Sequence, residues 1–273
     1  MWLYKRARPN TGEHWAEKIA SEVAELLKLP THKVIIAESE GAIGCTVKNF
    51  LKKEENGILI HGNELLAGAI EGYDKEKWQG QSDHHFDNVV KTIEHWFSRP
   101  QDRDFASSRL IGYFVFDALV GNTDRHHENW GMILKGLGLS QEKTDEQARL
   151  RLQLSIAPTF DHGSSLGREL LEERAQQLLQ DPNQLRRYIR KARGGIFENS
   201  DEAHGMSPLA LLELIAITYP AFFKPWQERV KGLPPAFAQP LLDQISDSIM
   251  SPTSKQFTLA FLAETRKFIS DIA

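Results

Sequence analysis

The spacing of apolar residues changes along the chain between the period of a helix and that of a strand. Near the middle, apolar residues recur every three or four positions up to Leu119, which predicts a buried helix. These positions are Leu110, Ile111, Phe114, Val115, Ala118 and Leu119. Gly121 followed by Asn122 is a typical helix stop. Two strand-like runs at residues 130–134 and 150–156, separated by a polar segment, then predict an antiparallel hairpin.

The N-terminal pattern predicts a small sheet with one helix beside it. Residues 2–5 are typical of a strand, and residues 13–28 have the spacing of an amphipathic helix. The apolar face of that helix is Trp15, Ile19, Val23, Leu26 and Leu27. Strand-like runs at residues 34–37 and 45–51 predict a hairpin, with its turn in the glycine-containing segment 41–44.

Most of the remaining chain has the pattern of helices separated by Pro and Gly. One helix is expected at residues 87–97, closed by Arg99 and Pro100. Beyond Gly167 we expect helices at 168–180, 182–192, 208–219, 221–230, 234–246 and 253–272. The pattern as a whole predicts an α+β protein.

Composition excludes several classes of protein. The chain is 41% hydrophobic and 26% charged, as an ordinary globular protein is. Its formal net charge of −4 gives no general attraction to nucleic acid or to an anionic membrane. No apolar run approaches the roughly 20 residues that span a bilayer. Met1 leads directly into a strand-like segment, so we expect no signal peptide, and the single Cys45 fits a reducing compartment. We therefore expect a cytoplasmic protein.

Candidate chemistry lies between the buried helix and the hairpin. Asp124 precedes Asn129 by five residues, and Asp161 follows the second strand in an Asp-His-Gly sequence. Because a hairpin returns the chain to its start, we expect these three side chains to converge on one pocket. Carboxylate and amide oxygens suit Mg²⁺, and a second carboxylate could accept a hydroxyl proton. The alternative is a solvated loop in which Asp and Asn only cap turns.

The same order of residues occurs in protein-kinase catalytic loops, which carry an Asp, then an Asn, and later an Asp-x-Gly. Gly121-Asn122-Thr123-Asp124-Arg125-His126 through Asn129, followed by Ala157-Pro158-Thr159-Phe160-Asp161, resembles the C-terminal kinase domain of the HipA-like family. The members of that family are serine/threonine kinases, and several are toxins of bacterial toxin–antitoxin pairs. More distantly, the loop is similar to that of phosphoinositide kinases. The resemblance implies a two-lobed protein-kinase-like fold, with a reduced N-terminal β lobe at 1–52 and a mostly helical lobe at 53–273.

The resemblance also implies a role for particular residues. Asp124 would be the catalytic base, and Asn129 and Asp161 would hold Mg²⁺. The remaining expected contacts with nucleotide, or supports of such contacts, are Lys5, Glu17, Lys48, Asn49, Phe50 and His126. Lys5 would hold phosphate oxygens and Glu17 would hold the lysine, while residues 48–50 would meet adenine. The structural alternatives are a solvated surface for Lys5 and Glu17 and a core position for Phe50.

The implied activity is ATP- and Mg²⁺-dependent transfer of the γ-phosphoryl group to a Ser or Thr hydroxyl of a protein. Only four residues precede Lys5, so the pattern lacks the strands and glycine-rich loop that cover ATP in kinases. An antitoxin or another partner chain could complete the N-terminal lobe. Three rivals remain: a nucleotide-binding pseudokinase, a phosphoinositide-type lipid kinase and a metal-dependent phosphoesterase.

Two further clusters have a structural and a functional interpretation. The adjacent pair His126-His127 could suggest zinc, but neighbouring residues point apart and the single cysteine leaves no closed ligand set. The pair His84-His85 comes just before a helix cap, where we expect surface residues and not metal ligands. The basic cluster of residues 186–193 could meet an acidic substrate or a phosphate, and it could equally be a solvated helix face.

Overall fold

The computed structural model describes residues 1–51, 57–139 and 150–273. Its N-terminal part is a three-stranded antiparallel sheet made of β1 (Trp2–Arg6), β2 (Val34–Ser39) and β3 (Ala42–Lys48). The strand order is β1-β3-β2, so β1 lies at an edge. The third strand starts at Ala42, three residues before the predicted start, because the reversal needs only Glu40 and Gly41, both at positive φ.

Helix α1 (Glu13–Leu26) packs against this sheet through the predicted apolar face. Trp15, Ile19 and Val23 are buried in the main core. The prediction was wrong for Leu26, which is 44% exposed, because the helix ends there and Leu27 takes the buried position.

A second antiparallel sheet contains the predicted hairpin. Its strands are β4 (Ile58–His61), β5 (Gly131–Leu139) and β6 (Leu150–Ile156), in the order β4-β5-β6. The hairpin is confirmed, with Met132 opposite Ile156 at the end nearest the preceding loop. Strand β5 runs five residues further than predicted, and the polar segment 140–149 lies outside the described residues.

The long helix α4 (Pro100–Val120) is the centre of the helical part and confirms the predicted buried helix. Its C-terminal half is almost entirely buried, including Tyr113, Phe114 and Phe116. We predicted that Pro100 closes the preceding helix. Instead it begins α4, since proline fits the first helical turn.

The other helices surround α4 or lie beside the second sheet. They are α2 (Gly62–Ala69), α3 (Phe86–Trp96), α5 (Glu172–Gln180), α6 (Pro182–Lys191), α7 (Pro208–Thr218), α8 (Pro220–Lys231), α9 (Gln239–Asp243) and α10 (Pro252–Asp271). Helix α2 was not predicted. Helix α9 is much shorter than the predicted 234–246 because Pro240 is placed in its first turn. Over the described ranges, no helix is both long and apolar enough to cross a membrane.

Candidate functional site

The loop at residues 121–129, here called the Asp-Asn loop, begins where α4 ends. Gly121 terminates the helix at a φ of 67°, the left-handed conformation that glycine adopts without strain. The side chain of Asn122 then donates to Asp117 Oδ1 at 2.9 Å and accepts from the backbone N–H of Asp124 at 3.1 Å. The last turn of α4 therefore fixes the backbone of Asp124 relative to the helix.

Arg125 joins the Asp-Asn loop to the residues that follow β6. Its guanidinium forms two hydrogen bonds with Asp117, from Nε at 2.8 Å and from Nη2 at 2.7 Å, and both side chains are almost fully buried. The same group donates to Thr159 Oγ1 at 3.1 Å and to the carbonyl oxygens of Phe160 and Asn129. Burial alone would lower the pKa of Arg125, but the charge of Asp117 outweighs it and raises the pKa.

The predicted loop residues have different environments. Asn129 is buried, and its Nδ2 donates to the backbone oxygen of Asp124 at 2.7 Å. The side chain of Asp124 is half exposed, with Oδ2 accepting from Ser164 Oγ at 3.2 Å. His126 Nε2 lies 3.9 Å from Asp124 Oδ1. Because Ser164 lies just beyond Asp161, the hairpin does return the chain to the Asp-Asn loop.

Lys5, on strand β1 of the first sheet, contacts the Asp-x-Gly aspartate. Its Nζ lies 2.7 Å from Asp161 Oδ1 and 3.8 Å from Glu17 Oε2. Asp161 has a φ of 60°, a conformation that Asp tolerates better than most residues. The backbone N–H of His162 donates to Glu17 Oε2 at 2.9 Å. One strand lysine, one helix glutamate and the Asp-x-Gly aspartate are therefore in direct contact.

Lys5 and Glu17 stabilise each other's charged forms. Burial alone would raise the pKa of Glu17, but a hydrogen bond from His32 and the charge of Lys5 outweigh it, so the pKa is lowered. Burial alone would lower the pKa of Lys5, but the charges of Glu17 and Asp161 raise it. Lys5 therefore stays protonated and Glu17 stays ionised, which maintains the contact.

His32 and His162 complete the surroundings of Glu17. His32 Nε2 lies 2.8 Å from Glu17 Oε1. His162 stacks on His32 at 5.5 Å between ring centroids, and Phe116 meets it edge-on at 5.0 Å. Glu17, His32 and His162 have ligand-type atoms within 4.8 Å of one another. Since His32 and Lys5 already engage the carboxylate, we interpret the cluster as support for Glu17 and not as a metal centre.

The residues expected to meet adenine lie where β3 ends. Lys48 and Asn49 are exposed, and Asn49 Oδ1 accepts the backbone N–H of Leu51 at 2.8 Å. Phe50 is half-buried, with its ring centroid 5.9 Å from that of Phe160. Because Phe160 immediately precedes Asp161, this contact brings the end of the first sheet beside the Asp-x-Gly sequence.

His126 and His127 separate as expected, whereas the expected surface position was wrong for His84, which is buried. The rings of His126 and His127 are 6.3 Å apart at 72°. His127 is buried and hydrogen-bonded through Nδ1 to the hydroxyl of Tyr73 at 2.8 Å. His126 is half-buried, and its Nδ1 accepts the backbone N–H of Glu128 at 3.3 Å. His126 thus stabilises the Asp-Asn loop, while His127 belongs to the core.

No family model matches the sequence, and no curated protein matches it either. Solved structures do. The proinflammatory kinase CtkA of Helicobacter pylori superposes with a TM-score of 0.75 at 19% identity, covering 99% of this chain and 85% of that one. HipA of Shewanella oneidensis, solved as a toxin–antitoxin complex with HipB and operator DNA, gives a TM-score of 0.60 at 12% identity. That match covers 100% of this chain and 61% of HipA.

At these identities the similarity establishes the fold. The predicted α+β class is confirmed, with a small antiparallel sheet and α1 on one side of the site and the helical part on the other. The resemblance to phosphoinositide kinases stays a prediction. The chain has the two-lobed kinase-like fold of CtkA and HipA, as the Asp-Asn loop and the Asp-x-Gly sequence indicated.

Proposed function

We propose that the protein is an ATP- and Mg²⁺-dependent kinase that phosphorylates a Ser or Thr hydroxyl of another protein. The observation that carries the proposal is the contact of Lys5 with both Asp161 and Glu17. Kinases need a strand lysine for the phosphates, a helix glutamate to hold it and an Asp-x-Gly aspartate for metal. The contact joins all three, and the fold supports the same class of activity. We propose lobes at residues 1–52 and 53–273, with ATP between them.

Each side chain has a task in this proposal. Lys5, held by Glu17, binds phosphate oxygens. Asn129 and Asp161 offer hard oxygen donors, which fit Mg²⁺, and the ion when bound would neutralise phosphate charge. Asp124 orients the acceptor hydroxyl and takes its proton, and its half-exposed carboxylate leaves room for a substrate. Transfer of this kind depends mainly on positioning and electrostatics, so few residues suffice.

The adenine end of the nucleotide would lie against the connection between the lobes. The N–H groups of Lys48 and Asn49 already donate to backbone oxygens of Lys33 and Met1. We propose that other backbone groups at these two residues face adenine and that Phe50 contacts its ring. The packing of Phe50 on Phe160 supports this proposal, because it connects the end of β3 with the residue before Asp161. His126 would keep the Asp-Asn loop in place beneath the phosphates.

The test combines binding with product analysis. Mg·ATP should raise the melting temperature, because a ligand of the folded state stabilises it. Mass spectrometry should then identify phosphoserine or phosphothreonine on a protein from a cell extract. Lys5→Met should weaken both effects, whereas the exposed Lys33→Met should leave them unchanged. Absence of any Mg·ATP stabilisation in the unaltered protein would refute the proposal.

A nucleotide-binding module without transfer is the second candidate. It is favoured by the position of β1, since no described strand pairs with its outer edge and so no strand pair covers Lys5. Water exclusion over the phosphates would then be poor. Stabilisation by Mg·ATP with no phosphorylated product, in the presence of the candidate partners, would establish this function.

The same free edge is where we propose that a partner chain completes the N-terminal lobe. Trp2 and Leu3 on β1 are 44% and 60% exposed, and an edge strand can pair with an added strand. The presence of HipB in the HipA structure supports an antitoxin as one such partner. Affinity purification with Leu3→Lys as the control variant would test it, since the charge should abolish capture.

A further inference from the structure

A cavity of about 470 Å³ opens beside the Asp-Asn loop on the side of α6. Thr123 and Ser164 line it, and Ser164 Oγ is hydrogen-bonded to the carboxylate of Asp124. Lys5, Asn129 and Asp161 do not line it. The cavity therefore adjoins the proposed base but is separate from the proposed nucleotide and magnesium positions.

The walls of this cavity carry an excess of positive charge. The basic residues that line it are Arg174, Arg187, Lys191 and Arg193, against the single acidic residue Glu169. The whole chain has a formal net charge of −4, so the excess is local. A concave surface with charge of one sign attracts ligands of the opposite sign.

Among the described residues, these four cations form no ion pair. Arg174 donates only to the side-chain oxygens of Gln177 and Gln184. Other basic residues of α6 differ: Arg186 pairs with Glu264 at 3.0 Å, and Arg190 Nη1 lies 3.9 Å from Glu213. The unpaired cations of the basic cluster are thus those that line the cavity.

Apolar residues also line the cavity. Ala118, Leu209 and Phe261 contribute to it, together with the backbone at Gly121 and Gly167. Such a lining accommodates the carbon atoms of a peptide, while the cations of the same cavity meet a charged end. The site is therefore built for an anionic group attached to a less polar chain.

We propose that this cavity binds an anionic side chain, a carboxylate or a phosphate, of the protein substrate whose hydroxyl is presented to Asp124. The inference rests on the proposed kinase function and adds a substrate class to it. Arginine and lysine at the cavity hold the anion by charge-assisted hydrogen bonds. This contact fixes the distance from the anion to the acceptor hydroxyl, so the enzyme prefers Ser or Thr near an acidic or phosphorylated residue.

The test measures peptide binding without phosphoryl transfer. Fluorescent peptides carry one serine and, at each flanking position in turn, Asp, phosphoserine or Ala. Anisotropy with the full chain should show at least one anionic peptide binding about tenfold tighter than its Ala counterpart, equivalent to ~1.4 kcal/mol. Preference for Asp alone, for phosphoserine alone or for both identifies the source of the anion, and each supports the site.

Matched variants locate the effect. Arg187→Gln and Lys191→Gln should remove the preference, whereas Arg190→Gln, on the same helix but outside the cavity, should keep it. All three residues are exposed, so folding should be retained. Equal affinity for anionic and Ala peptides in the unaltered protein overturns the proposal, as does a preference that survives both cavity variants. Transfer assayed separately distinguishes this failure from failure of the kinase function.

Discussion

Lys5 Nζ lies 2.7 Å from Asp161 Oδ1, although 156 positions separate the two residues along the chain. Lys5 lies on β1 of the first sheet, and Asp161 lies in the segment that follows β6. Both side chains are partly exposed, at 34% and 48%, so the pair contributes little to folding, about 0–1 kcal/mol. The pair therefore adds little to the stability of the fold, and both side chains stay available for the ligand proposed above.

Asp161→Asn should therefore abolish function without unfolding the protein. Asn tolerates the φ of 60° at this position but removes the charge that meets Lys5 and the proposed Mg²⁺. We expect the free energy of unfolding to change by less than about 1 kcal/mol, and the Mg²⁺-dependent stabilisation by ATP to vanish. Thermal shift with ATP, with and without Mg²⁺, measures this. The exposed Asp104→Asn is the control, and unchanged Mg²⁺ dependence in Asp161→Asn would contradict the assignment.

Arg125→Met should destabilise the fold strongly. It would leave the carboxylate of Asp117 buried without its guanidinium, which costs about 3–5 kcal/mol in comparable pairs. Denaturant unfolding of the variant measures the loss. Arg186→Met, which breaks a partly exposed pair with Glu264, should cost much less, because solvent screens the exposed charges. Equal losses of unfolding free energy in the two variants would show that the burial of Arg125 does not determine its contribution to stability.

His84 should make the protein less stable in acid. Its Nδ1–H donates to the carbonyl oxygen of Gly195 at 2.8 Å, and its Nε2 accepts from Trp130 Nε1 at 3.1 Å. Burial lowers its pKa from the ordinary 6.5 to about 3. Below pH 6.5, His84 therefore binds a proton in the unfolded chain but stays neutral in the folded protein. The free energy of unfolding should fall between pH 6.5 and about 3 by ~1.4 kcal/mol per pH unit from this residue.

The variant His84→Gln separates this contribution from those of other groups. It cannot titrate, so its stability should decrease less steeply on acidification than that of the unaltered protein. Chemical denaturation at a series of pH values gives both curves. If the curves are parallel below pH 6.5, His84 is not the residue responsible.

Gly121→Ala should be more harmful than an ordinary glycine substitution. Its positive φ of 67° strains any side chain, and a Cβ there would overlap the ring of Phe261. Gly72→Ala is the matched control, because Gly72 has a φ of 76° but open space around it. We expect Gly72→Ala to cost about 1–2 kcal/mol and Gly121→Ala clearly more. Comparable losses by thermal unfolding would mean that Phe261 moves aside freely.

The sequence was sufficient for the outline of the site. The spacing of Asp124, Asn129 and Asp161 around a hairpin carried the resemblance that implied the kinase-like fold. The approach of Lys5 to Glu17 follows the order predicted for them. The hairpin and the end of α4 were predictable because local patterns encode them: a helix stop, two strands and a reversal. Whether the three oxygen-bearing residues share one Mg²⁺ stays a prediction.

The residues that hold the site together were not found from the sequence. Arg125 and His32 look like ordinary polar residues in loops, and only tertiary packing buries them. Asp117 gave a usable signal, since it is an acidic residue in an otherwise apolar helical run and so requires a buried partner. His162 gave none, because the variable position of an Asp-x-Gly sequence carries no spacing information.

The guanidinium of Arg125 forms hydrogen bonds with α4, with the Asp-Asn loop and with the segment after β6. We therefore expect these three stretches to open together, as one cooperative unit. In hydrogen exchange, backbone amides flanking the site should be as slow as those in the middle of the central helix, unlike the fast amides of an ordinary surface loop. The protein would thus keep a rigid platform for chemistry in a stretch of chain that has no regular secondary structure.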